Sequence, residues 1–204
     1  MTSSLDLPVG QFLDQLADRS PAPGGGGGAA LTGALAAGLV AMAARFSAAQ
    51  LPDAGAIAAR ADQLRLRAAE LVDEDAQAYL RVLDAFALPH DAAGREQVRV
   101  ALDRAAAVPE EMTRLGAEVA ELAARLAVAG NPNLRGDSVT AALLAEASAR
   151  SAACLVDINV TLGGLDQQVS LRAARNVAAA HAAAQQATSG YGQPLSRPPR
   201  SRRR

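Results

Sequence analysis

Residues 71, 72, 75, 79, 82 and 86 fall on one helical face, and among Leu71, Val72, Tyr79, Val82 and Phe86 the single charge is Asp75. A carboxylate on an inward face has to be paired, protonated or in contact with a ligand. Two readings follow. Asp75 is either in contact with a ligand, one turn before the phenol of Tyr79, or a hydrogen-bonding group, to Tyr79 itself, that pins a helical register. Glu70, Glu74 and Arg81 fall on the opposite face and read as solvated surface pairs of little worth.

Two further stretches carry polar chemistry. Pro21-Ala22-Pro23-Gly24-Gly25-Gly26-Gly27-Gly28 runs straight into the uncharged segment 31–44. Prolines fix the incoming backbone, glycines allow close approach, and the first N–H groups of a helix face whatever is held there. Such a start suits an anion or a polar heterocycle. Small residues at Ala29, Gly33, Ala37 and Ala41 serve close packing of helices or subunits equally well. No alternating strand precedes the glycines and no Lys-Ser/Thr follows them, so a dinucleotide or phosphate loop does not fit. The second stretch is Asn131, Asn133, Arg135 and Asp137 after Gly130. These polar side chains stand where bundle packing alone would not place them, and they suit plain turn and cap chemistry.

The elements that must position these groups are helices. Alanine makes up about a quarter of the chain, aromatics 2%, and β-branched residues are sparse, so helix formers abound and strand material is scarce. An all-α antiparallel bundle of about six to seven helices with long central members follows. The periodicity places helices over about 8–17, 25–49, 54–88, 92–108, 109–129, 137–162 and 166–187, with Pro109 either kinking one long helix or opening a new one. Phe12, Leu13 and Leu16 share a face of the first, Arg45 closes the second, and Asp137 or Ser138 caps the sixth. Cores of Ala, Leu and Val bury little area per residue, so assembly into a homodimer is the expected remedy.

Composition bounds the rest. The 204 residues suit one domain over 1–190 followed by a disordered basic Pro/Arg tail over 191–204. All twenty basic residues are arginine, and five lie in the last eight positions; the remaining fifteen face 21 carboxylates, leaving the body at about −6. Nucleic acid is therefore not an expected partner. The single cysteine, Cys154, cannot pair internally and reads as core packing in a reducing cytoplasm. No spacing suits zinc, and no metal is expected. The uncharged run 20–44 is long enough to span a membrane, but its prolines and glycines make a buried central helix the better reading, and no membrane partner is expected. Residues 5–19, broken by Asp6, Asp14 and Asp18, are unlike a secretory leader.

Taken in order, Pro21-Ala-Pro-Gly-Gly-Gly before an Ala-rich helix, Asp73-Glu-Asp-Ala-x-Ala-Tyr79, Leu88-Pro89, Pro109, and Gly130-Asn-Pro-Asn-x-x-Gly-Asp137 before Ala141-Ala-Leu-Leu resemble the cyclodeaminase/cyclohydrolase family over about 5–187. That family includes the cyclodeaminase part of formiminotransferase-cyclodeaminase and bacterial methenyltetrahydrofolate cyclohydrolases. The resemblance implies a helical homodimer that takes a tetrahydrofolate derivative as substrate near the subunit interface, with no cofactor. It implies cyclodeamination of 5-formiminotetrahydrofolate to 5,10-methenyltetrahydrofolate, or the sister hydrolysis of the methenyl compound.

On that basis Asp137 is expected as the principal acid/base group and Asp75 as its helper or a pterin contact. Pro23, Gly24, Gly25, Gly26 and Tyr79 correspond to the family's glycine turn and acidic-helix motif, Asn131 and Asn133 suit the pterin, and Arg45 or Arg135 the glutamate carboxylates. Three positions depart from the family pattern. Gly27 and Gly136 stand where serine is usual, and the Asn-Val-x-Ile-Asn pattern reads Leu155-Val-Asp-Ile-Asn159. The alternative to an active enzyme is thus a weakened folate-binding or helical interaction protein of the same fold.

Overall fold

Alanine-rich helices gain contact only by approaching closely, and the computed structural model, which describes residues 3–189, shows how they do so. Six helices form: α1 (Val9–Ala17), α2 (Gly25–Arg45), α3 (Ala54–Phe86), α4 (Ala92–Ala129), α5 (Arg135–Gly163) and α6 (Gln168–Thr188). Short 3-10 turns cover Ser4–Asp6 and Pro132–Leu134, and no strand forms among the described residues. The all-α expectation is met. The tail over 191–204 lies outside the described residues.

Contacts along the helices fix their directions. Arg45 meets Asp62 while Gly26 meets Asp75, so α3 runs back along α2. Ser148 Oγ donates to the Ala29 carbonyl at 2.7 Å and the Asn131 amide donates to Ser47 Oγ at 2.9 Å, so α5 also runs opposite to α2. α4 lies antiparallel to both α3 and α5, and α6 runs alongside α4, where Asn176 Nδ2 donates to the buried Thr113 hydroxyl. A Cβ added at Gly116 would stand 3.0 Å from the Ala145 carbonyl oxygen and from Ala149 Cβ, so only glycine lets α4 and α5 come this close.

α2 is the central helix: twelve of its residues are buried, nearly all Ala or Gly, with α3, α4 and α5 around it. Its length and apolarity meet a membrane-span test, as does the stretch Pro132–Gly163, but most of α2's most apolar window is buried within the bundle. It ends at Arg45, four residues short of the expected 49, because Ser47 Oγ turns back onto the Ala43 carbonyl and the chain leaves the helix. Pro109 neither breaks nor opens a helix. α4 is continuous across it, and the two expected helices are one.

Several side chains differ from expectation. Of the face Phe12, Leu13 and Leu16 in α1, only Phe12 is buried, since a single nine-residue helix on the outside has one anchor to offer. Cys154 is exposed, on the outer side of α5 with Leu143, Ile158 and Leu162. α5 is apolar over more of its circumference than one chain covers, so periodicity did not separate the core face from the outer one. Glu74 is half-buried: Arg67 binds it at 2.5 Å and Glu111 of α4 at 2.8 Å, making a cross-link between α3 and α4 where loose surface pairs were expected.

Candidate functional site

The glycine turn delivers the chain to α2 with no side-chain cap: Gly24 is the N-cap residue, and the Gly28 amide is the first to reach back, to the Gly24 carbonyl at 3.0 Å. The N–H groups of the first turn are left facing outward toward α3. Asp75 stands there. A Cβ added at Gly26 would lie 2.1 Å from one carboxylate oxygen and 2.2 Å from the other, so the carboxylate occupies the space a side chain would need. Burial pushes the Asp75 carboxyl up to about 6, and the Gly27 backbone amide offsets this only in part. Desolvation thus outweighs the pull of the helix N-terminus.

Around this pair lies a cleft of about 290 Å³. Pro21, Ala22, Gly24 and Gly25 form one side, Ala78 and Tyr79 of α3 another, and Leu155, Ile158 and Asn159 of α5 the third, with Ala105 of α4 at the base. Tyr79 and Ile158 are about half exposed, which leaves an apolar rim open to solvent. Asn159 Nδ2 donates to the Ala105 carbonyl at 2.8 Å. Ser3 and Ser4 are clasped onto the same turn of α3: Ser3 Oγ donates to Asp73 Oδ2 at 2.5 Å and the Ser4 amide to Oδ1 at 2.9 Å. Burial raises the Asp73 carboxyl, and these hydrogen bonds more than compensate, holding it below its ordinary value.

The structure therefore brings together Asp75, Tyr79, Gly24, Gly25 and Gly26, with Pro23 behind them, its Cβ 3.4 Å from where a Cβ on Gly27 would stand. It does not bring the loop residues to them. Asn131, Asn133, Arg135, Asp137 and Arg45 gather at the other end of α2, a 21-residue helix about 30 Å long at 1.5 Å per residue.

Within that second group the roles are mostly structural. The Asn131 side chain accepts from the Asn133 amide at 3.0 Å and donates to the Phe46 carbonyl at 3.0 Å, tying the loop to the end of α2. Arg45 is paired with Asp62 at 2.5 Å, and Asn133 is exposed. Asp137 does not cap α5, which starts two residues earlier with Leu134 as N-cap; it sits half-exposed in the first turn. Ser138 instead donates to the Leu134 carbonyl. Arg135 is half-buried, with a buried Nε that has no partner among the described residues.

Sequence reasoning missed Leu155, Ile158, Asn159 and Ala105 as cleft residues. The signal was present in the Leu155-Val-Asp-Ile-Asn159 stretch, whose 155, 158 and 159 positions share a helical face. Of the three departures from the family pattern, Leu155 lies in the cleft, Gly27 lies beside Asp75, and Gly136 is exposed near Asp137. Among the described residues no group of His, Cys, Asp or Glu side chains is placed to hold a metal ion.

Comparison with known proteins agrees with this architecture. The profile described as formiminotransferase-cyclodeaminase matches residues 8–179. A methenyltetrahydrofolate cyclohydrolase of Methylorubrum extorquens is 34% identical over 168 residues, covering 77% of this chain and 80% of that protein. The crystal structure of a formiminotetrahydrofolate cyclodeaminase from Thermotoga maritima superposes with a TM-score of 0.82 at 26% identity, covering 91% of this chain and 96% of the other. The helices, the glycine turn against the acidic turn of α3 and the extent of these matches agree, and the chain belongs to the formiminotransferase-cyclodeaminase family.

Proposed function

We propose that this chain is a folate one-carbon enzyme that closes 5-formiminotetrahydrofolate to 5,10-methenyltetrahydrofolate with release of ammonia, or hydrolyses the methenyl compound, with Asp75 as the acid/base group. The observation that carries this reading is a carboxyl held at about 6 inside a cleft, against a helix start that only glycine permits. A carboxyl near 6 both accepts and returns a proton close to neutral pH.

In cyclodeamination, N10 attacks the carbon of the protonated formimino group, the Asp75 carboxylate takes the N10 proton, and Asp75 returns it to the resulting amine, which leaves as ammonia as the methenyl cation forms. In the sister reaction water adds to the methenyl carbon and gives one proton to Asp75, which passes it to N5 as the carbon–N5 bond breaks, while the carbinol hydroxyl releases its remaining proton to solvent and leaves a formyl group on N10. Either way one carboxyl serves both halves of the proton traffic. The α2 N-terminus and the aromatic ring of Tyr79 line the place where the pterin and its reacting carbon would sit.

The reading includes a homodimer. Leu35 of α2 and Leu143, Ile158 and Leu162 of α5 are each about half exposed or more, on neighbouring helices, and Ile158 is also a wall of the Asp75 cleft. A two-fold axis beside the Leu35 face of α2, perpendicular to the helix near its middle, lays its glycine end over the Arg45 end of a second copy. That arrangement supplies the Asp75 cleft of one chain with Arg135 and Asp137 of the other, and it gives Asp137 a part in the chemistry that no single chain offers.

The test is to offer the purified protein 5-formiminotetrahydrofolate and 5,10-methenyltetrahydrofolate and follow the methenyl absorbance. Its appearance or decay above the uncatalysed rate is expected. A folded protein that binds folate with neither change would be a binding protein, and the acid/base role of Asp75 would be withdrawn.

A further inference from the structure

Position 109 lies inside α4, and a proline there withholds the N–H that ordinarily donates to the carbonyl four residues earlier, at Ala105. The ring also crowds that carbonyl and turns it outward. In this structure the Ala105 oxygen is taken by Nδ2 of Asn159, reaching over from α5 at 2.8 Å. Both residues line the Asp75 cleft.

This bond decides which way the amide faces. Only the nitrogen end donates to a carbonyl, so Oδ1 and the second Nδ2 hydrogen are the atoms left to face other partners. Neighbouring acceptor and donor atoms in a fixed plane match the adjacent N–H and C=O of a lactam. The cleft, about 290 Å³ with Leu155, Ile158 and Tyr79 as apolar walls, has room for a fused two-ring heterocycle against them.

We propose that Asn159, locked by the carbonyl that Pro109 leaves free, is a specificity-determining residue that reads the lactam edge of the pterin ring, accepting from its N–H through Oδ1 and donating to its C=O through Nδ2. The inference rests on the folate reading above and names the part of the substrate that this wall of the cleft recognises. Asn159 touches substrate without moving a proton. Its signature is therefore in discrimination between ligands.

The experiment compares binding of tetrahydrofolate with that of its 4-amino-4-deoxy analogue, which lacks the lactam, by calorimetry on the full chain. The wild type is expected to prefer the lactam form by at least about tenfold. Asn159→Leu should bind the two alike. Asn159→Asp keeps the shape but cannot donate to Ala105, and it should lose the preference as well, so the result does not depend on one variant folding. Pro109→Ala restores a competing N–H within α4; its melting temperature should rise while the preference shrinks severalfold. A purely structural Asn159 would weaken both ligands in proportion and leave their ratio unchanged, and that result overturns the proposal. So does a wild type with no preference. A wild type that binds neither ligand overturns the folate reading itself, and is told apart from the others by that fact.

Discussion

The carboxylate of Asp75 fills the space where a side chain on residue 26 would be, 2.1 Å from a Cβ built on Gly26. The glycine turn and the acidic turn of α3 are two halves of one feature. Glycine at 26 lets a carboxylate rest on the start of α2, and the carboxylate in that place loses water and becomes a weaker acid.

Gly26→Ala should therefore damage the site more than the fold. A Gly→Ala change inside a helix ordinarily stabilises by up to about 1 kcal/mol, which offsets part of the clash. Melting should shift by only about 3 °C, while methenyl turnover falls at least about tenfold as Asp75 is pushed aside. Gly28→Ala is the control, because a Cβ there meets nothing within 4 Å. Equal turnover in both variants would separate Gly26 from the chemistry.

Asp75→Asn should lower turnover by about 10² to 10⁴ and change the pH dependence of stability. The folded carboxyl sits at about 6 against an ordinary 3.8, so between these values the folded chain holds the proton that the unfolded chain has released. Stability is then lost as pH rises from about 4 to about 6, by an amount on the order of 3 kcal/mol from this group alone. The asparagine variant lacks that loss. Urea melts of both proteins at pH 4.5 and pH 7 should show the variant gaining on the wild type at the higher pH; a constant difference would mean that Asp75 is not desolvated.

The composite site makes a prediction about mixtures. Asp137→Asn should keep near-native melting, since a first-turn carboxylate contributes only about 0.3–1 kcal/mol to its helix, and should lose turnover by at least about a hundredfold. When Asp75→Asn and Asp137→Asn chains are unfolded and refolded together, about a quarter of the wild-type turnover should return, because a mixed dimer regains one intact site. Light scattering should show a dimer, and Leu35→Glu with Leu143→Glu should give a helical monomer without turnover. No rescue in a mixed dimer would rule out a site shared between the two chains.

At the far end of α2, away from the Asp75 cleft of its own chain, Ser47→Ala should cost stability. The hydroxyl is buried, donates to the Ala43 carbonyl at 2.7 Å and accepts the Asn131 amide at 2.9 Å. Its removal leaves a partly buried N–H without its acceptor, worth about 1–3 kcal/mol. Chemical denaturation should show that loss, and an unchanged melting curve would mean that the hydroxyl does not hold the loop.

The helices were legible in the sequence because alanine content and a 3.6-residue repeat are local properties. So was the singular position of Asp75, one charge on an apolar face of α3, and so were the glycines of the turn. Three things were not local. Whether Pro109 ends a helix depends on the packing on either side of it, and neighbours on α3, α5 and α6 hold α4 continuous. Whether an apolar stripe faces the core depends on how many such stripes one chain can cover, which is why Cys154, Leu13 and Leu16 are outside. The third is distance. Asp75 and Asp137 read alike as acidic residues in motifs, yet α2 and α5 run in opposite directions and set them at opposite ends of the bundle. Only tertiary structure could show that, because a helix 21 residues long carries its two ends about 30 Å apart whatever chemistry the sequence assigns to them.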